Sequence, residues 1–217
     1  MVKIPLFPLR TVLFPGMPLP LHIFEERYKQ MIAACLAAKS SFGVALIRHG
    51  AEALGPLAEP YLVGCTARIT KVEILDEGRY SLVAVGEERF RILSLKTDLP
   101  YLVGEIEAYP LGECDTAAMK RAEQNLLPWF KRYLHAVVQE EDLEDSLENI
   151  PHDPQAFAYL ASVLLQIPVL QKQPLLEAQD GLVLFQQLED IYRREVALIE
   201  SLRSTPQADH KFPFSMN

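Results

Sequence analysis

Five prolines break up the apolar run that opens this chain: Pro5, Pro8, Pro15, Pro18 and Pro20 stand among Ile4, Leu6, Phe7, Phe14 and Leu19. Proline fixes its own φ, offers no amide donor and pushes the residue before it towards extended backbone. No helix can form across such a stretch. It predicts a short strand over residues 2–6, a tight turn at Pro15-Gly16 and a second extended piece over residues 19–23. A helix over residues 25–38 should follow, because Tyr28, Met31, Ile32, Cys35 and Leu36 recur at helical spacing on one face.

Up to about residue 110 the remaining pattern is mostly that of strands. Cys65, Ala67 and Ile69 alternate with Thr66, Arg68 and Thr70, the period-two signature of a half-buried strand. Asp76-Glu77-Gly78 supplies a hairpin turn, with glycine where positive φ is needed. Gly86, between Val85 and Glu87, marks a bulge or sharp bend. Several short strands with one early helix predict an antiparallel sheet that closes into a partly open barrel.

From Asp115 the period changes to that of helices. Met119, Ala122, Leu126 and Leu127 start one that Pro128 should kink or end. Asp153 stands as N-cap before Pro154. Phe157, Leu160, Ala161, Leu164 and Leu165 then form an apolar face on which Leu160 and Leu164 are expected in the core. Gln173-Pro174 should restart a helix after Pro168, and Phe185, Leu188, Tyr192, Val196 and Ile199 share one side of a last one. The fold class is therefore α+β. A β pseudo-barrel over residues 1–112 precedes a helical bundle over residues 113–205, and residues 206–217 form a loose tail.

Several of these segments carry a family resemblance. The opening IPLFPLRTVLFPGMPLPLHIFEERYKQMI resembles the start of the Lon protease N-terminal, substrate-binding domain. The likeness continues through FGVALI, VGCTARI and the strand, glycine and "RFRI" run that ends at Ile92, and through LQIP and KQPLLE near the C-terminus. The resemblance implies a barrel of the PUA-like kind and a module that recruits polypeptide to an ATP-dependent protease. The sequence has no GxxxxGK[ST] loop and no GxSxG elbow. The expectation is a free-standing, non-catalytic form of that domain, without the ATPase and serine–lysine peptidase domains.

Composition narrows the alternatives. Net charge is −8, yet residues 1–112 carry 12 basic and 12 acidic side chains, so the excess lies wholly in residues 113–217. Six of those acids fall within residues 140–148, a solvated run or a docking site for a basic partner. An RNA-binding PUA-like protein would need a basic stripe with stacking aromatics, which makes nucleic acid a poor partner here. A small-ligand groove is the other rival. Cys35, Cys65 and Cys114 are odd in number and widely spaced, as expected of reduced thiols in a cytoplasm. No apolar run is long enough for a membrane span. His22, His49, His135, His152 and His210 are scattered without metal-ligand spacing, and neither a metal nor a cofactor is expected.

The candidate binding residues lie at the opening. Phe7 and Phe24 are expected in the core. Met17 offers a flexible thioether on a proline-stiffened loop, suited to varied apolar partners. Pro15, Met17, Arg27 and Tyr28 are thus the expected contacts for unfolded or hydrophobic polypeptide, with at most weak self-association. The purified chain should hydrolyse neither ATP nor casein. Turnover that co-purifies with it and is abolished by a point substitution within it would contradict this reading.

Overall fold

The proline-rich opening forms two strands around a turn, and each proline sits where a sheet tolerates it. A computed structural model describes residues 2–52, 55–137 and 150–204. The acidic run at 140–148 and the tail at 206–217 lie outside the described residues. Strand β1 (Val2–Leu9) is longer than expected because it changes partners midway. Val2 to Leu6 pair antiparallel with β7 (Leu102–Ala108), and Leu6 to Leu9 pair parallel with β3 (Phe42–His49). Away from the crossover at Leu6, each part of β1 has a neighbour on one side, the edge-like setting proline permits. Among the described residues β2 (Pro18–Ile23) pairs with β6 alone, so Pro18 and Pro20 also stand on an edge.

Strand β6 (Tyr80–Lys96) is the spine of the sheet, pairing with β2, β5 (Val63–Ile74) and β7. Pairing runs β1, β7, β6, β5, β3 and returns to β1, with the short β4 (Glu59–Pro60) beside β3. Only the β1–β3 pair is parallel among the described strands. The β5–β6 connection turns at Asp76–Gly78, with Glu77 and Gly78 at φ 61° and 67°. A register shift between Cys65 and Ala67 places an extra β6 residue just after Gly86, the expected bulge. Helix α1 (Glu26–Ala38) turns Tyr28, Met31, Ile32 and Cys35 inward against Phe7, Leu19, Phe42 and Ala67. Phe24 departs from expectation. It is 50% exposed, just beyond the edge strand β2 and before α1.

After β7 the chain is helical: α2 (Thr116–Val137), α3 (Pro154–Leu164), α4 (Val169–Leu176) and α5 (Gly181–Ser204). No helix among the described residues is long and apolar enough to cross a membrane. Pro128 does not end α2. Pro128 and Gln124, whose carbonyl it leaves without a helical donor, are both exposed, so water can take that bond. On the other face Leu126, Phe130, Tyr133 and Leu134 are buried and hold the helix down. Pro168 is likewise the N-cap of α4, so that helix begins before Gln173 and carries Pro174 within it.

One apolar core joins helices and sheet. Phe130, Phe157 and Tyr192 pack edge to face, Phe130 lying 5.2 Å from Phe157 and 5.7 Å from Tyr192, and the same core takes in Val12, Phe14, Leu46 and Val63 from the β part. Tyr192 donates its hydroxyl to the Ala161 carbonyl at 2.8 Å, which satisfies a buried polar group. Leu160 and Leu164 are half-buried rather than core. Helix α3 instead buries Phe157, Ala158, Tyr159, Ala161 and Ser162, with Leu165 buried just past its end, a face turned away from the expected one. Its small members let neighbouring elements approach closely. Phe157→Ala should therefore cost about 3–5 kcal/mol in chemical denaturation, and Leu164→Ala less than about 2 kcal/mol. Equal losses would contradict this assignment of the buried face.

Candidate functional site

The turn between β1 and β2 follows from two adjacent residues. Pro15 presets the first central position, and Gly16, at φ 80°, takes the second, where positive φ is required. The Met17 amide closes the turn on the Phe14 carbonyl at 3.0 Å. The turn is then pinned to β6. Gly16 donates to the Gly86 carbonyl at 2.8 Å, and Gly86 donates back to the Met17 carbonyl at 3.0 Å. A Cβ at Gly86 would collide with the Phe14 carbonyl oxygen, so the approach requires glycine. Phe14 is buried beneath, while Met17 stays half-buried and touches the core on both sides.

Facing the turn is the start of α3. The Asp153 carboxylate accepts the Ala156 amide at 2.8 Å, and Pro154 occupies the first turn. Between turn and helix lies a cavity of about 410 Å³, walled mainly by Pro15, Met17, Pro18, Ala156, Leu160 and Val163, with Asp153 and Gln155 as polar edges. A second cavity of about 370 Å³ lies beyond Pro15 and is lined by Glu87, Glu88, Arg89, Ala108 and Pro110. Pro15, Gln155 and Tyr159 line both, so the two cavities adjoin. Burial pushes the Tyr159 phenol up and the Arg89 guanidinium down from their usual values.

The four expected contact residues are not brought together. Pro15 and Met17 line the first cavity. Tyr28 is 5% exposed, its ring centroid 4.1 Å from that of Phe7, and it borders a separate cavity of about 310 Å³ with Leu21, Phe24 and Glu52. Arg27 lies over the Tyr28 ring, donates to the Gly55 carbonyl at 3.0 Å and pairs with Glu25 at 3.0 Å. These contacts tie the guanidinium to the protein itself, although Nε is buried without a hydrogen-bond partner. Leu160, Val163, Gln155 and Tyr159 are wall residues that sequence reasoning missed. The Asp153-Pro154 start could have placed their helix, but only the fold sets it opposite the turn.

What this arrangement offers chemically is apolar contact and hydrogen bonding. Among the described residues no three His, Cys, Asp or Glu side chains converge on a point that could hold a metal ion. Burial pushes the Cys65 thiol up to about 12, far from a reactive thiolate. The Ser41 hydroxyl donates to a Glu87 carboxylate that also takes Arg68, both at 2.7 Å, an ion-pair network at the sheet surface.

Known proteins share both the sequence pattern and the fold. Residues 3–191 match the ATP-dependent protease La (LON) substrate-binding domain. A Lon protease of Anaeromyxobacter dehalogenans is 30% identical over 177 residues, which cover 80% of this chain and 21% of that protein. The chain thus spans about a fifth of the length of the curated relatives it matches. The crystal structure of a Lon N-terminal domain protein from Xanthomonas campestris is 25% identical and superposes with a TM-score of 0.59, covering 89% of this chain and 98% of that one. The N-terminal domain of a Mycobacterium avium complex Lon protease, at 21% identity, shares the fold with a TM-score of 0.68 over 88% of this chain and 98% of that one. A match that runs through the proline-rich turn, the long β6 and most of the helices makes this chain a member of the LON substrate-binding domain family.

Proposed function

We propose that this chain is a non-catalytic recognition module, an adaptor that binds unfolded or hydrophobic polypeptide segments in a context of proteolysis or protein quality control. In this reading the closed strand pairing is a PUA-like pseudo-barrel over residues 1–112, and the helices after residue 113 are a bundle that braces it. The three free cysteines accord with action in a reducing cytoplasm. The observation that carries the proposal is the apolar cavity between the pinned turn and α3. Its volume falls in the range of preformed ligand sites. Its walls combine a stiff element with an adaptable one. The turn is fixed by proline, glycine and two hydrogen bonds to Gly86, so little order is lost when a flexible chain lands on it. The Met17 thioether can re-pack against side chains of different shape.

A titration with a permanently unfolded, reduced and carboxymethylated protein tests this. Binding should be in the micromolar range and nearly independent of salt, and Met17→Ser should weaken it about fivefold or more, given the apolar area at stake. Tyr28→Ala should act through stability, because that ring is interior. Tight, steeply salt-dependent binding of single-stranded RNA would favour a nucleic-acid function instead. Full affinity in the Met17→Ser variant would remove this cavity from the site.

A further inference from the structure

Arg89 is 3% exposed, and its guanidinium is only partly satisfied. Nη1 donates to the carbonyls of Leu176 and Ala178 at 2.6 and 2.8 Å, at the C-terminal end of α4, where a cation is favoured. Nε and Nη2 are buried with no hydrogen-bond partner. After burial, the groups that act most on this guanidinium are Tyr159, Tyr109 and Cys65, none of them paired to it by an ion pair, and the Tyr109 ring lies 4.8 Å from it. A buried donor left unsatisfied is costly and usually has a reason. Here the same residue lines the second cavity, beside the apolar one.

Resting on the polypeptide-binding reading above, we infer that the Arg89 cavity anchors the main chain of the bound segment, with the Arg89 guanidinium donating to a backbone carbonyl while a neighbouring apolar side chain fills the Met17 cavity. The charges on the rim decide for a peptide unit over a free carboxylate. Glu88 is exposed at the edge of the cavity, while the neighbouring Glu87 is held by Arg68 and Ser41, so an incoming carboxylate would meet the like charge of Glu88. A peptide unit brings both partners this wall offers, a carbonyl for Arg89 and an N–H for the Glu88 carboxylate. The Gln155 amide, common to both cavities, can bond to either. Recognition of this kind reads the backbone in one cavity and apolar character in the other, which suits clients of varied sequence.

Calorimetric titration with a short acetylated and amidated peptide rich in leucine and alanine tests the inference. Three probes are compared: this peptide, its free-acid form, and a series in which each amide in turn is replaced by an ester, a weaker acceptor without the N–H. The Nε–H resonance of Arg89, assigned by through-bond correlation, is followed by NMR in the unaltered protein. Substitution of a side chain that also holds α4 is thereby avoided. The Arg89 resonance should move downfield at saturation, and one ester position should weaken binding about five- to tenfold, as for a hydrogen bond to a charged donor that is weakened and not lost. The free acid should bind no more tightly than the amide. A motionless Arg89 resonance, or an ester series without effect on a peptide that does bind, overturns the main-chain anchor and leaves the polypeptide-binding reading standing. A much tighter free acid shows the ligand to be a carboxylate and also overturns the anchor. A peptide that fails to bind overturns both.

Discussion

A single glycine sets the geometry on which the rest of the candidate site depends. Gly86 exchanges two backbone hydrogen bonds with the turn at residues 14–17, and its missing side chain lets the Phe14 carbonyl come against the strand. Phe14 can then drop into the core that the helices share. The bulge just after Gly86 carries Glu87, Glu88 and Arg89 to the second cavity, and Arg89 reaches across to the end of α4. One stretch of β6 thus fastens the turn on one side and a helix on the other. The turn, one wall of the groove, is held by β6, and α3, the other wall, is held by Phe157 and Ala161 in the shared core.

Local signals were the legible ones. Pro15-Gly16, Asp76-Glu77-Gly78 and Asp153-Pro154 each specify a turn or cap within a few residues, and each forms as their chemistry requires. The inward face of α1 was legible too, because its large apolar residues recur at helical spacing. The buried face of α3 was not. Ala158, Ala161 and Ser162 lie inside because other helices press closely on them, whereas hydropathy draws the eye to Leu160 and Leu164. Pro128 sits within α2 because tertiary burial of Phe130 and Leu134 outweighs one lost hydrogen bond on the solvent side. The change of partner along β1 was equally hidden, since a strand does not announce which neighbours it will have.

The candidate site shows the same division. Pro15 and Met17 could be singled out from the turn alone, and they line the cavity. Tyr28 lies next to Arg27 at the start of a helix, but its role is decided by Phe7, a residue on another strand that covers its ring. Arg89 looks like any strand arginine in the sequence. Only the arrival of α4, from nearly ninety residues further on, buries it and takes two of its roughly five N–H donors. Membership in the LON substrate-binding domain family is the ground on which polypeptide is proposed as the ligand of this groove, whose walls offer apolar contact and hydrogen bonding.

Three cavities border the proline-rich opening, two that adjoin at Pro15 and one beside Tyr28, and the proposed site is the adjoining pair. Hydrogen exchange read by mass spectrometry, with and without an unfolded polypeptide, separates them directly. Binding in the groove between the turn and α3 should slow exchange in fragments covering residues 14–19 and 155–165. Protection confined to residues 20–32, around Phe24 and Tyr28, with none at the turn or α3, would contradict the account.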